Sequence, residues 1–315
     1  MFEKTRLLFY YAVTPVHMGA GSAIGAIDSP IQREVHTRHP MFAGSGLKGA
    51  LRQHFNYVWP GEKDRKNAGL INRIFGPDTN ASDFAGALSL TDAQLVALPV
   101  RSLKRSFAWV TCPVALARLK RLAELASVTT GWHVPTVADN QAIMAADDLL
   151  AHGKLILEAF EFSKAEGDCA DIARWLAENA LSAANDWFAA KLKTDLVVLS
   201  DTDFAHFARH AMVVEPHVRI NDESGTADDG GLFYVENLPP ESILVGLAQA
   251  SIERFKTGSR NESSAALLTA KEVLDAVFEG TPERPGIAGK LLQIGGDAST
   301  GRGLVIVQPV AGGDQ

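Results

Sequence analysis

The sequence has few of the residues that build disulfide-stabilised or cysteine-ligated proteins. Cys112 and Cys169 are its only two cysteines among 315 residues. Two thiols are too few for a disulfide framework or a cysteine-rich zinc site. We expect both to be buried thiols of a protein that works in a reducing compartment.

Long apolar runs are also missing. No stretch approaches the roughly 20 apolar residues that a membrane-spanning helix needs. The N-terminal sequence MFEKTR lacks the basic-then-apolar layout of a secretory signal peptide. The sequence therefore predicts a cytoplasmic protein with no membrane partner.

Several known nucleotide-binding and catalytic motifs are absent from the sequence or only partly matched. Gly19 and Gly21 begin like a dinucleotide-binding loop, but the third glycine comes one position late, at Gly25, and Pro30 follows where a helix should run. The two histidines of HFARH, residues 206–210, are spaced as in a zinc protease, but phenylalanine replaces the required glutamate. There is no phosphate-loop Gly-Lys-Ser/Thr and no Gly-x-Ser-x-Gly elbow. These absences exclude the common nucleotide-binding and serine-hydrolase chemistries.

Charge is divided unevenly along the chain. Residues 1–121 hold 16 lysines and arginines against 8 acidic residues, whereas residues 122–315 hold 14 against 29. A basic first part and an acidic remainder are typical of a protein that binds a polyanion. The same asymmetry suits head-to-tail stacking of copies, and chance sorting of charge is the alternative.

The hydrophobic pattern favours an α+β fold with insertions over a doubly wound sheet. Residues 6–13 read as a strand, and residues 44–59 as a helix with Ser45 as its N-cap. Residues 169–190 read as one long helix. Two strands, 217–221 and 231–237, flank a polar connection that is too long for a tight turn, which predicts a projecting flap.

Three glycine-rich segments are candidate anion-binding loops, because backbone amides can converge on an anion where no side chain blocks them. The first, residues 17–34, begins with His17 and contains Asp28. The second, residues 44–50, lies at a helix start, where unpaired amides and Lys48 attract phosphate. The third, residues 295–303, lies between two strands. For each loop alone, a simple turn is the alternative, and for Asp28 this means an Asx turn before Ser29.

The order and the amino-acid sequences of these segments resemble those of the RAMP superfamily of CRISPR-associated proteins. The strings VHMGAGSAIGAIDSPIQRE, PMFAGSGLKGALR and GGDASTGRGLV carry the resemblance. PVRSLKRSFAWVTCP and VRINDESGTADDGGLFYVENLPP are similar to the backbone subunit of the type III-B (Cmr) effector complex. The resemblance runs from about residue 5 to about residue 310.

The resemblance implies a single RAMP domain over residues 1–315 with a ferredoxin-like, RRM-related core. Insertions are expected at about residues 60–85 and 120–155, and a projecting β-element, or thumb, within about residues 160–240. It further implies copies stacked head to tail along a guide RNA (crRNA), together with other Cmr subunits. Such a protein cuts complementary target RNA at regular intervals with a divalent metal, Mg²⁺ or Mn²⁺.

The same resemblance assigns candidate site residues. Asp28 matches the family's catalytic aspartate and is the expected metal ligand, with His17, Tyr234 and Glu236 as further catalytic candidates. Strand alternation predicts that Tyr234 and Glu236 face the cut while Phe233 and Val235 face the core. Candidate RNA contacts are Gly19, Gly21, Arg33, Ser45, Gly46, Lys48, Arg52, Gly296 and Arg302, and Arg38 is a further plausible phosphate contact.

Two other functions stay open at this point. The chain would be a non-catalytic guide-binding scaffold if another subunit did the cutting. It would be a metal-independent guide-processing endonuclease if His17 were part of an acid–base set.

Overall fold

A computed structural model describes residues 2–22, 25–59, 69–77, 84–181, 186–254 and 267–312. They form a mixed α/β fold with one 13-stranded sheet and a separate two-stranded sheet. The strands of the large sheet are β1 (Lys4–Ala12), β2 (Met41–Phe42), β3 (Leu88–Leu90), β4 (Ala93–Ser102), β5 (Ser106–Thr111), β6 (Gln141–Met144), β7 (Leu150–Ala151), β8 (Lys154–Leu157), β9 (Phe160–Lys164), β10 (Leu196–Leu199), β13 (Ile243–Ala250), β14 (Lys290–Gln293) and β15 (Leu304–Val310). The smaller sheet consists of β11 (Val213–Ile220) and β12 (Ala227–Asn237). The α-helices are α1 (Gly44–Val58), α2 (Leu70–Phe75), α3 (Pro113–Leu125), α4 (Ala170–Asn179), α5 (Asp186–Asp195), α6 (Asp201–His210) and α7 (Ala270–Phe278).

Four consecutive strands of the large sheet are antiparallel to one another, in the order β15-β1-β13-β4. Leu7 of β1 lies opposite Leu247 of β13 on one side and Val310 of β15 on the other. The chain passes through α1 between β1 and β4, and through α7 between β13 and β15. The C-terminal end of β1 lies beside the start of β15, where Ala12 pairs with Val305.

The sheet is covered by helices on both faces, which explains why β1 is an uninterrupted apolar run from Leu7 to Ala12. Alternate β1 side chains enter two separate cores. One core contains Leu8, Tyr10 and Ala12 with residues of α1, α2, α6 and α7. The other contains Leu7, Phe9 and Tyr11 with residues of α3, α4 and α5. As expected, Cys112 and Cys169 are buried free thiols.

The regions expected to be insertions differ in how they relate to the sheet. Residues 120–155 complete α3 and contribute β6, β7 and part of β8, so they extend the main sheet. Within residues 60–85, the structure describes α2, while residues 60–68 and 78–83 lie outside the described residues. None of the helices in the described ranges is long and apolar enough to cross a membrane.

Two helix predictions require correction. The helix expected over residues 169–190 is two helices, α4 and α5, and residues 182–185 between them lie outside the described residues. Helix α1 begins at Gly44, with Ala43 rather than Ser45 at the N-cap. Gly44 donates its N–H to Asp92 Oδ1 at 2.8 Å. A Cβ at this position would lie 2.5 Å from the Leu90 carbonyl oxygen, so the packing of the β3–β4 turn requires glycine there.

The β11–β12 hairpin stands apart from the large sheet and is longer than predicted. Val213 pairs with Asn237 at its base, and Ile220 pairs with Ala227 near its tip. A bulge interrupts the register between Val218 and Ile220. Most of its side chains on both faces are exposed, and they become buried only from Val235 towards the base. The hairpin therefore contacts the core only through its base.

Candidate functional site

The three glycine-rich segments meet around His17 and Met18. A Cβ at Gly19 would lie 2.9 Å from His17 Nε2, and a Cβ at Gly295 would lie 2.2 Å from the His17 carbonyl oxygen. A Cβ at Gly46 would lie 3.2 Å from Met18 Cε. These glycines allow close approach between the segments. The three loops thus form one continuous region rather than separate turns.

Some of the glycine amides expected to bind RNA are used within the protein. Gly296 donates its N–H to the His17 carbonyl at 2.9 Å, which joins the third segment to the first. The amides of Ser45 and Gly46 lie in the first turn of α1, where the N-cap residue Ala43 offers no side-chain acceptor and the Asp92 carboxylate accepts only from the Gly44 N–H. First-turn amides have no intrahelical acceptor, so this helix end is the part of the region suited to an anion.

Asp28 lies against the base of the projecting hairpin. Its Oδ2 accepts a hydrogen bond from the Tyr234 N–H at 2.7 Å. The adjacent Ser29 donates its N–H to the Tyr234 carbonyl at 3.1 Å and accepts from the Glu236 N–H at 3.0 Å. The Asp28 side chain is exposed, and its Oδ1 has no hydrogen bond to any described residue. One carboxylate oxygen is therefore held while the other faces solvent.

His17 is oriented by the same strand. Its Nδ1 lies 2.7 Å from the Glu236 carbonyl oxygen. A carbonyl only accepts, so Nδ1 carries the proton, and in the neutral ring Nε2 is the acceptor. This Nε2 lies beside Gly19, where a side chain would collide with it. The geometry leaves one imidazole nitrogen able to exchange a proton with a bound group.

The Glu236 side chain points inward, which corrects the prediction that it faces the cut. The residue is 3% exposed, and its carboxylate accepts from the Ile31 N–H at 3.0 Å and from Arg33 Nη2 at 2.5 Å. Arg33 is buried with it, and its guanidinium also donates to the Ala208 carbonyl at 2.7 Å. Arg33 therefore holds the loop in place, and its predicted phosphate contact is not supported.

A model of the RAMP superfamily matches residues 9–306 of this sequence. The chain belongs to the RAMP superfamily. The Cmr4 endoribonuclease of the Pyrococcus furiosus Cmr CRISPR system is 34% identical over 310 residues, which covers 96% of this chain and 95% of that protein. The match therefore spans nearly the whole length of both proteins.

Solved structures agree with this assignment. A crystal structure of oligomeric Cmr4 from Pyrococcus furiosus matches with a TM-score of 0.69 at 29% identity and covers 99% of both chains. A cryo-EM structure of type III-B Cmr-beta bound to cognate target RNA has a similar fold, with a TM-score of 0.68 at 19% identity over 98% of both chains.

Not all cations predicted in this RAMP protein are free to bind RNA. Arg52 donates to the Gly76 carbonyl at 2.6 Å and to Asn72 Oδ1, so it anchors the end of α2 and its predicted phosphate contact is not supported. Arg302 Nη2 donates to both oxygens of Glu215, at 2.6 and 2.5 Å, which ties the third glycine segment to β11. The guanidinium groups of both arginines thus make hydrogen bonds within the protein.

Lys48 is the predicted cation of α1 that stays available. Its side chain is half-buried, and it has no ion pair or hydrogen bond with a described residue. Burial, followed by the nearby Arg52 guanidinium, lowers the pKa of Lys48. Gly21, in the first glycine-rich segment, is exposed with φ +92°, and a Cβ at this position would have no neighbour within 4 Å. Both residues are compatible with a ligand approaching from solvent.

The exposed side chains of β12 differ from the predicted alternation. Tyr234 and Phe233 are each 38% exposed, so the prediction that Phe233 faces the core is wrong. The Phe233 ring stacks on His217 of β11, with centroids 5.3 Å apart. Val235 is buried as predicted. The alternation of buried and exposed side chains fails at residues 232–234 because neither face of the two-stranded hairpin packs against the core there.

The described residues contain no group of three or more His, Cys, Asp or Glu side chains that could hold a metal ion. The available donor set at the hairpin base is the single carboxylate of Asp28. Mg²⁺ usually keeps several waters and takes one or two protein carboxylates together with substrate phosphates. The site therefore fits a hydrated cation shared with RNA, and does not fit a cation enclosed by protein alone.

Proposed function

We propose that this chain is a guide-RNA-binding backbone subunit of a type III-B CRISPR effector complex that cleaves complementary target RNA. The full-length match to a Cmr4 endoribonuclease supports the class of activity. The observation that carries the proposal is the exposed Asp28 carboxylate, held by Tyr234 at the base of a projecting hairpin. Its partners are the guide, the target strand, further copies of the chain and other Cmr subunits.

In this proposal the four antiparallel strands β15, β1, β13 and β4, together with α1 and α7, are the ferredoxin-like, RRM-related core of a single domain. Their order along the chain and in the sheet supports the assignment. The β11–β12 hairpin is the thumb. Its separate two-stranded sheet and exposed apolar side chains support a role against another molecule. The two unpaired buried thiols are in keeping with a reducing, cytoplasmic location.

The chemistry uses the target's own nucleophile. The 2′-hydroxyl oxygen forms a bond to phosphorus as the bond from phosphorus to the 5′-oxygen breaks. The hydroxyl proton passes to a base, and the leaving oxygen takes up a proton. Alignment of the 2′-oxygen in line with phosphorus and the leaving 5′-oxygen contributes strongly to the rate of such a step. A hairpin that splays the target strand would supply this alignment. We assign the general base to the Asp28 carboxylate and proton exchange to His17 Nε2.

A divalent cation, Mg²⁺ or Mn²⁺, would be held by Asp28 Oδ1 and would supply charge stabilisation at the phosphate. Tyr234 has two roles in this scheme. Its N–H fixes Asp28 Oδ2, and its exposed ring lies beside the strand being cut. Glu236 acts from beneath the site, because it orients His17 and the loop without reaching the solvent-facing surface.

The experiment that tests this function compares wild type with Asp28→Asn in complexes reconstituted with guide RNA. Asparagine retains an oxygen that accepts from the Tyr234 N–H, so the loop geometry is kept. Cleavage should fall by at least about 10²-fold while target binding is retained. Asp171→Asn, at an exposed position of α4, removes the same charge elsewhere and should cleave normally. Normal cutting by Asp28→Asn would favour the scaffold function instead, and cutting that persists in a chelator would exclude the metal.

A further inference from the structure

A cleft of about 390 Å³ lies beside the loop that carries Asp28. Ile27 and Pro30, which flank Asp28 and Ser29, line one part of it. Arg38 and Arg209 line it from the end of the same loop and from the last turn of α6. The cleft therefore adjoins the proposed cutting site without containing the Asp28 carboxylate itself.

The cleft carries an excess of positive charge. Three guanidinium groups line it, but Glu236 provides the only carboxylate among the lining residues. That carboxylate is already paired with Arg33 in the buried floor. The side chains of Arg38 and Arg209 are exposed and make no ion pair or hydrogen bond with a described residue. Two cations are thus left open to solvent in one cleft.

The buried Arg33 guanidinium fixes the backbone of both exposed arginines. It donates to the Arg38 carbonyl at 2.7 Å and, more weakly, to the Arg209 carbonyl at 3.4 Å. Two cationic side chains from separate elements are brought to the same cleft in this way. Their convergence is built into the fold and does not depend on the surface side chains themselves.

Arg38 also has a strained backbone. Its φ is +64°, in the left-handed region that favours glycine. An L-residue is disfavoured there by about 1 kcal/mol or more relative to glycine. The turn closes through the Arg38 N–H to the Glu34 carbonyl at 2.9 Å, a bond that glycine would make equally well. Backbone requirements therefore do not account for arginine at this position.

We propose that this cleft is a phosphate subsite for the target RNA strand, next to the cut, with Arg38 and Arg209 as the phosphate contacts. The inference rests on the proposed function. A guanidinium pairs with phosphate through two parallel hydrogen bonds, and two such groups flanking one cleft suit a backbone phosphate. The subsite holds the strand beyond the scissile link, so that the splayed nucleotide stays against Asp28.

The test measures binding rather than cleavage. The guide-loaded complex is titrated with a complementary target that carries 2′-deoxyribose at the cut positions and so has no nucleophile. The variants are Arg38→Gln, Arg209→Gln and the double variant, and Arg174→Gln on α4 is the charge-matched control. Each cleft arginine removed should weaken binding about three- to tenfold and reduce the salt slope of log K by about 0.7 to 0.9. The control should leave both unchanged.

Arg38→Gly separates binding from folding. Glycine relieves the positive φ, so this variant should melt at or above the wild-type temperature and still bind the target more weakly. A second arm measures binding of guide RNA to the chain without target, which should not change in any variant.

Equal target affinity and salt slope in the double variant would overturn the subsite. Weaker guide binding in the variants, with unchanged target affinity of the guide-loaded complex, would show that the subsite does not bind the target strand. Because the deoxy target is never cut, these outcomes stay distinguishable from a failure of the proposed catalytic function. That failure would appear as an uncut normal target in the wild-type complex.

Discussion

The protonated Nδ1 of His17 and its free Nε2 define what a substitution at this residue should do. His17→Asn keeps a side-chain N–H able to reach the Glu236 carbonyl but has no group at the Nε2 position. We expect single-turnover cleavage to fall by about 10²-fold, the range for loss of a positioned proton-transfer group. Target affinity should be unchanged.

The control for this prediction is His54→Asn on α1, a histidine outside the site. It should cleave at the wild-type rate. A His17→Asn rate within about threefold of wild type would show that His17 is a structural residue and takes no part in proton transfer.

At the scale of elements, the Arg33–Glu236 pair joins the glycine-rich loop to β12 and to the end of α6. Removing one member of a buried ion pair leaves an uncompensated charge, which typically destabilises by about 3–5 kcal/mol. We therefore expect Glu236→Ala to lower the free energy of unfolding in urea by that amount. Arg33→Ala should behave similarly.

In the double variant Arg33→Ala with Glu236→Ala, the free energy of unfolding should fall by less than the sum of the two single decreases, because neither charge is then left buried without its partner. Additive losses would show that the two groups are not coupled. A loss below about 1 kcal/mol in either single variant would mean that the pair is solvated rather than buried.

The hairpin provides a second prediction at this scale. Replacing residues 219–231 with Asn-Gly joins Val218 to Leu232, which already pair, through a two-residue turn. The removed side chains are mostly exposed, so melting temperature and guide binding should be preserved. Target cleavage should fall at least about tenfold, because the strand is no longer splayed at Asp28.

A matched control for the shortened hairpin is Asp229→Asn, which removes a charge from the same strand and leaves its length unchanged. It should cut normally. Unimpaired cleavage by the shortened hairpin would rule out the hairpin as the thumb.

Local pattern predicted some features of these elements and missed others for physical reasons. Strand β1 could be predicted from its apolar run because residues 7–12 are buried on both faces of the sheet and none of them is charged. The burial of Glu236 could not be predicted, since its partner Arg33 is 203 residues away and alternation does not say what covers a face. Arg209 was missed because nothing local separates it from the basic last turn that many helices have.

At the scale of the whole molecule, three loops far apart in sequence form one region. Ala12 at the end of β1 pairs with Val305 at the start of β15, and Gly46 of α1 packs against Met18. The family strings make Asp28 the catalytic candidate, and the structure adds that its carboxylate is held by the hairpin base. The glycine-rich segments alone predicted backbone amides that converge on an anion. In the fold, Gly19 and Gly295 instead permit packing around His17, a close approach that only the assembled loops reveal.

The central claim is that each copy of this chain cuts the target with its own Asp28. Complexes assembled from mixtures of wild-type and Asp28→Asn chains, followed by mapping of every cut in a labelled target, test it most directly. We predict that the initial cleavage rate at each position falls in linear proportion to the wild-type fraction, with the cut positions unchanged. Cleavage that does not depend on the wild-type fraction would contradict the account and assign the chemistry to another subunit.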